Sequence, residues 1–202
     1  TIGPWLKYYS KRKQFGPFDY ESERQIKYAF WYPKKALLQK IRALLRGKVF
    51  DLPDYKEKFF FYPLHSQPES STSVLATYFC DQLNTIKNIA FALPLPYKLY
   101  IKEHPAAVGE RADNFYKKLK ELPNVVLIAP AGNTAELIKN SSGVITLSST
   151  VGLEAVLAGK RVFTLGNVFY SHHPLCQKIG GFEELRREIE KKISEAPIVK
   201  DA

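Results

Sequence analysis

Gly143-Val144-Ile145-Thr146-Leu147-Ser148-Ser149-Thr150-Val151-Gly152-Leu153-Glu154-Ala155 changes character halfway. Its first five residues are small or apolar and read as a short strand. Ser148, Ser149 and Thr150 are helix-capping types, and the residues after them read as a helix ending near Gly159. A strand that runs through a hydroxyl-rich turn into a helix is the repeating unit of a parallel α/β sheet.

The same unit recurs on both sides of this stretch. Phe59-Phe60-Phe61-Tyr62 reads as an aromatic strand. Val74, Phe79, Leu83, Ile86 and Ala90 follow at helical spacing up to Leu93-Pro94. Lys98 to Ile101 and Val125 to Ile128 are predicted strands, with a helix from about Gly109 to Leu122 between them. Asn133 and Thr134 cap a predicted helix to Asn140. Arg161 to Leu165 is the fifth predicted strand, and Phe182 to Ile193 a final charged helix. A continuous apolar strand such as Val125 to Ile128 suits burial on both faces. The expected fold is therefore α/β, a Rossmann-like parallel sheet with helices on both faces, over residues 58–202. Residues 1–57 are basic and aromatic, broken by Gly3-Pro4, Gly16-Pro17, Tyr32-Pro33 and Leu52-Pro53. They read as a helical or irregular connecting arm with one amphipathic helix, Lys34 to Leu45.

Composition narrows the class. The 202 residues suffice for one full domain and an appendage, and 45% hydrophobic with 25% charged residues is ordinary for a soluble globular chain. No run of about 18 apolar residues predicts a membrane span, and Thr1 to Gln14 lacks the apolar core of a signal peptide. The expected location is cytoplasmic. Met is absent, which reads as a fragment of a longer chain. The net charge of +10 owes much to stretches such as Lys11-Arg12-Lys13 and Lys34-Lys35. Such a surface suits peripheral contact with an anionic inner membrane or acidic glycans, or is a solvated face without a partner. The basic residues follow no nucleic-acid-binding motif, so no nucleic acid is expected. Cys80 and Cys176 are far apart and have neither metal-ligand nor disulfide spacing. His172-His173 has no accompanying acidic or His cluster, so no metal site is expected.

In an open parallel sheet, ligands bind at the carboxyl ends of the strands. That rule selects Ser148, Ser149 and Thr150, where helix N–H groups, the helix dipole and hydroxyls favour a phosphate; plain N-capping is the other reading, and both can hold. It also selects Lys102 and His104, followed by Pro105, which aims the His outward. The segment from His65 to Ser71, with Gln67, combines an imidazole, an amide, a carboxylate and hydroxyls, and its Glu69 and Ser70 are able to cap the next helix or to hold a ribose or sugar hydroxyl. Glu136 and Glu154 lie near helix starts and can face a ligand, or serve as ordinary helix charges.

In this order and spacing, Tyr62-Pro63-Leu64-His65…Gln67-Pro68-Glu69, Leu99-Tyr100-Ile101-Lys102-Glu103-His104-Pro105, Ser148-Ser149-Thr150-Val151-Gly152-Leu153-Glu154-Ala155 and Gly159-Lys160 resemble the capsule polysaccharide biosynthesis family, which includes transferases of 3-deoxy-manno-octulosonic acid (Kdo). The resemblance covers about residues 58–175. It implies a glycosyltransferase of two Rossmann-like halves (the GT-B type), of which this chain is the C-terminal, donor-binding half. It further implies a CMP-activated acidic sugar as donor, a glycan or glycolipid acceptor, and no metal cofactor. His104-Pro105 and Ser148, Ser149 and Thr150 would hold the nucleotide phosphate, with Gln67 and Glu69 as sugar contacts. The first half, with the catalytic general base, would lie outside this chain, leaving the fragment inactive alone. A UDP-sugar transferase or epimerase of similar fold, and a non-catalytic scaffold of the capsule assembly machinery, remain alternatives.

Overall fold

Phe59 and Phe61 turn to one side of the strand Phe59–Pro63 (β1), Phe60 and Tyr62 to the other, and all four are buried. This alternation places β1 at the centre of a two-sided core. Each ring taken from water contributes roughly 1.5–3 kcal/mol of transfer free energy, so β1 alone anchors much of the sheet. The computed structural model describes residues 49–65, 74–104, 107 and 111–195. By internal contacts the chain divides into Thr1–Arg42 and Ala43–Ala202, and the described residues all belong to the second unit.

Six strands form one sheet: β1, Lys98–Lys102 (β2), Val125–Ile128 (β3), Gly143–Thr146 (β4), Val162–Thr164 (β5) and Cys176–Lys178 (β6). All pairs are parallel, and the spatial order is β3-β2-β1-β4-β5-β6. This is the Rossmann-like order, with its reversal of direction between β1 and β4. Helices Gln82–Ala92 (α1), Asp113–Lys120 (α2) and Phe182–Ser194 (α5) cover one face. They pack Ile86, Ile89, Tyr116, Leu119, Leu185 and Ile189 against Phe60, Tyr62 and Ile145. Helices Thr134–Asn140 (α3) and Thr150–Leu157 (α4) cover the other, with Leu137, Ile138, Ala155 and Val156 against Phe59, Phe61 and Val144. Helix α4 stops where Gly159, at φ 74°, takes the left-handed conformation that only glycine adopts without strain.

The α/β class and the five expected strands are present, and two expectations are corrected. A sixth strand, β6, completes the sheet: Cys176 and Gln177 pair with Val162 and Phe163. The helix expected from Val74 begins instead at Gln82, because Asp81 caps it by accepting the Asn84 N–H at 3.1 Å. Ahead of it lie a 3-10 turn, Thr77–Phe79, and the helical residues Val74 and Leu75, separated from α1 by the bend at Ala76 and the turn. Residues 49–57 lie against the sheet: Val49 and Phe50 pack on the α1 side, and the Asp51 N–H donates to the Leu127 carbonyl at 2.7 Å. The expected helix Lys34 to Leu45 and the candidates Gln67, Glu69 and Pro105 lie outside the described residues. Among the described residues no helix is long and apolar enough to cross a membrane.

Candidate functional site

Beyond β1 the chain leads to α1 on one face; beyond β4 it enters α4 on the other. The divergence opens a crevice at the carboxyl ends of these two neighbouring strands. The sequence candidates with described positions lie on this edge or on the first turns of the helices above it.

The turn into α4 is built around Ser149. Its hydroxyl accepts the Val151 N–H at 3.2 Å, so it is the N-cap. Its own N–H donates to the Thr146 hydroxyl at 3.1 Å, and its carbonyl accepts from the Gly152 N–H at 3.1 Å and the Tyr170 hydroxyl at 2.5 Å. The Ser148 N–H donates to Nε2 of His65 at 3.2 Å. The N–H groups of residues 148, 149, 151 and 152 are thus all paired within the protein, where the sequence suggested open donors for a phosphate. What the turn offers a ligand is the exposed Thr150 side chain and the positive end of the helix dipole.

Tyr170 explains Gly152. A Cβ at residue 152 would stand 2.3 Å from the Tyr170 hydroxyl oxygen and 2.9 Å from its Cζ. Gly152→Ala is therefore expected to destabilise the domain by about 1–3 kcal/mol through overpacking, measured by urea denaturation. In a Tyr170→Phe background, which removes the nearest atom, the cost of the alanine should shrink; an equal cost in both backgrounds would place the conflict elsewhere.

Lys102 ends β2 on the α3 side of the sheet. Its ammonium donates to the Thr134 hydroxyl at 2.7 Å, at the start of α3. Burial lowers its pKa, and the Glu154 carboxylate on α4 opposes that shift, which puts Lys102 and Glu154 in electrostatic reach across the crevice. Gly132 packs closely beside Lys102: a Cβ there would meet Ile128 Cγ2 at 2.8 Å and Lys102 Cε at 3.9 Å. Glu136 accepts from the Asn140 side chain at 3.3 Å within α3. His104 is exposed on the same edge, and its N–H donates to Glu103 at 2.7 Å. Glu103 itself turns inward, as strand alternation requires, and is 1% exposed.

Three residues of the site carry no local motif. Gln82 clasps the backbone of His65, accepting its N–H and donating to its carbonyl, each at 2.9 Å. Arg111 donates to that same carbonyl and, through Nε, to Glu103 at 2.9 Å. Tyr170 has already been described. Their partners are 17, 46 and 21 residues away in sequence, so only the fold reveals them. The His65 imidazole is buried, which with the nearby charges of Arg111 and His104 pushes its pKa down to about 4. Next along the edge, a cleft of about 250 Å³ opens between residues 74–79 and the ends of β5 and β6, with Asn167 and Lys178 as polar lining. It adjoins the β4 end, since Asn167 N–H donates to the Leu75 carbonyl at 2.9 Å and a Cβ at Gly166 would lie 2.4 Å from the Leu147 carbonyl. Among the described residues, no group of three or more His, Cys, Asp or Glu is arranged to hold a metal ion.

Known proteins resemble this chain in sequence or in fold. Protein FixF of Sinorhizobium fredii is 32% identical over 124 residues, 58% of this chain and 29% of that protein. Two structures of Thermosulfurimonas dismutans KpsC share the fold. The one described as a beta Kdo 2,7 transferase matches with TM-score 0.51 and 23% identity, over 74% of this chain and 50% of that one. The one described as a beta Kdo 2,4 transferase matches with TM-score 0.50 and 20% identity, over 76% and 51%. The chain spans about half or less of each of these relatives. Residues 8–200 match the family described as capsule polysaccharide biosynthesis protein, and the chain belongs to that family.

Proposed function

We propose that this domain binds the activated-sugar donor of a glycosyltransferase in capsule or surface polysaccharide assembly, the donor being a CMP-linked acidic sugar of the Kdo type. The observation that carries the reading is the convergence of Lys102, His104 and the Ser148–Thr150 turn on one sheet edge around the β1/β4 reversal. Family membership and the fold shared with KpsC support it. In this reading Lys102, the Thr150 hydroxyl and the α4 dipole offset the phosphate charge that grows as CMP leaves, without a metal. The nucleoside extends towards the cleft at Asn167. A hydroxyl of the acceptor glycan attacks the anomeric carbon as the bond to the CMP oxygen breaks, and its proton goes to a base supplied by the other half of the enzyme. The basic charge of the first segment suits contact with an anionic membrane surface on the cytoplasmic side.

Calorimetry with CMP, UDP and GDP on the full chain tests this. CMP is expected to bind about tenfold more tightly than UDP or GDP, the equivalent of one discriminating hydrogen bond. Lys102→Ala should weaken CMP by roughly tenfold or more, as expected for a lost charge-assisted contact. Preference for UDP would move the reading to a UDP-sugar enzyme. No nucleotide binding by a folded sample would leave a scaffold role.

A further inference from the structure

His65 is held more firmly than a loop residue needs to be. Both backbone polar groups are taken by Gln82, itself 2% exposed, and Arg111 adds a second donor to the carbonyl. The imidazole then crosses the crevice from the β1 end to the β4 end. Its Nε2 accepts the Ser148 N–H at 3.2 Å and lies 3.5 Å from the Thr146 hydroxyl, the same hydroxyl that accepts from the Ser149 N–H. A ring nitrogen that accepts a backbone N–H carries no proton. In a neutral ring the proton must then sit on Nδ1. Nδ1 is buried with no hydrogen-bond partner among the described residues, as is the hydroxyl of the neighbouring Tyr62, whose ring lies 6.2 Å away. Among the described residues, none pairs with Nδ1 in a way that competes with this tautomer.

The hold continues beyond His65. Arg111 joins it to Glu103, and Glu103 accepts the His104 N–H at 2.7 Å and the Tyr116 hydroxyl at 2.5 Å. One chain of contacts, His104–Glu103–Arg111–His65–Ser148, therefore connects the two segments that flank the crevice. We propose that His65, as the Nδ1–H tautomer, is the positioning residue of the β4–α4 turn, fixing Ser148 to Thr150 in the conformation that receives the ligand's phosphate and tying that turn to the His104 segment through Arg111 and Glu103. The ligand part of this statement rests on the nucleotide-binding reading above; the positioning part does not.

Among the described residues, the groups facing His65 are Tyr62 on β1, Gln82 on α1, Arg111 ahead of α2, His104 after β2, and Thr146 and Ser148 on β4 and its turn. The test compares the full chain with His65→Gln, whose amide oxygen can replace Nε2 as acceptor, and His65→Leu, which cannot accept. In the unaltered chain, nitrogen NMR of the ring should show Nδ1 protonated and Nε2 unprotonated. The Ser148 amide should exchange with solvent about tenfold faster in His65→Leu, the size expected for one lost hydrogen bond, and near the unaltered rate in His65→Gln. CMP affinity should follow the same order, falling about tenfold in His65→Leu and no more than about threefold in His65→Gln. A ring protonated on Nε2, an unchanged Ser148 amide in His65→Leu, or unchanged CMP affinity despite a loosened amide would each overturn the proposal. If His65→Leu does not fold, the ring tautomer and His65→Gln still decide it. If the unaltered chain binds no CMP, the nucleotide reading falls, and the tautomer and amide exchange still decide whether His65 positions the turn.

Discussion

Glu103→Ala is expected to destabilise the domain by about 3–5 kcal/mol, the range for breaking one side of a buried ion pair. Glu103 and Arg111 side chains are 1% and 11% exposed, and their N–O separation is 2.9 Å. The carboxylate accepts three donors: Arg111 Nε, the Tyr116 hydroxyl and the His104 N–H. Removing it leaves a guanidinium in a water-poor site, held by the His65 carbonyl and by the face of Phe115, 4.9 Å from the ring centroid. It also leaves the buried Tyr116 hydroxyl without this acceptor. Unpaired charge, more than lost attraction, sets the size of the effect. Glu103→Gln keeps the volume and an acceptor oxygen, so its cost should be smaller, about 1–3 kcal/mol. Urea denaturation with an unchanged slope measures both. A Glu103→Ala cost below about 1 kcal/mol would show that Arg111 escapes to solvent instead of remaining buried.

The expected result also explains why part of the site was readable in the sequence and part was not. The sheet edge was legible because it follows from periodicity. Val125–Ile128 and Gly143–Thr146 are short apolar runs, each followed by breakers or caps, and the residues after them must lie at strand ends. Glu103 continues the two-residue repeat of β2 past Lys102, which turns it inward. The cap at Ser149 was one of two readings of three adjacent hydroxyls, and the structure shows it directly. Arg111 was not legible. It falls within the helix expected from about Gly109, where nothing sets it apart from an ordinary surface charge, and its importance comes from a carbonyl 46 residues away. His65 was visible as a polar residue after a strand, yet its tie to Ser148 spans 83 residues and depends on β1 and β4 being neighbours.

The elements misread were those whose local signal is weak or misleading. Cys176-Gln177-Lys178 has one buried apolar residue in three and sits beyond Pro174, so nothing in it marks a strand; pairing with β5 makes it one. The helix start was misplaced because Val74 and Phe79 fall on the α1 periodicity. Both serve the tertiary structure differently: Phe79 packs edge-on to Phe182 at 5.5 Å, and Val74 is 72% exposed at the cleft. In each case tertiary packing overrode a local preference of a few tenths of a kcal/mol.

The stability of the domain should fall by about 3 kcal/mol as pH drops from 6.5 to about 4, and His65 is the reason. Its imidazole is buried and pushed down to about 4 in the folded protein, against an ordinary value of 6.5 in the unfolded chain. Burial is the main cause, and the positive charges of Arg111 and His104 add to it. Between those two pH values the unfolded chain binds a proton that the folded protein refuses. Acidification therefore favours unfolding, by up to about 1.4 kcal/mol per pH unit. Above 6.5 both states hold His65 neutral, and its share of the pH dependence is absent. Protonation would also place a proton on Nε2, turning the acceptor of the Ser148 N–H into a donor facing a donor. The loss of stability and the release of the Ser148 turn should thus share one pH window. Glu57, whose pKa is lowered chiefly by the Lys98 ammonium, adds its own loss only below the ordinary carboxylate range, so its contribution lies at the acid end. Urea midpoints at pH 7, 6, 5 and 4.5 for the unaltered chain and His65→Gln separate the two. The glutamine chain should be flatter from 6.5 to 4.5. Parallel curves across the whole range would show that His65 gains its proton without unfolding, and that its contact with Ser148 is weaker than the geometry states.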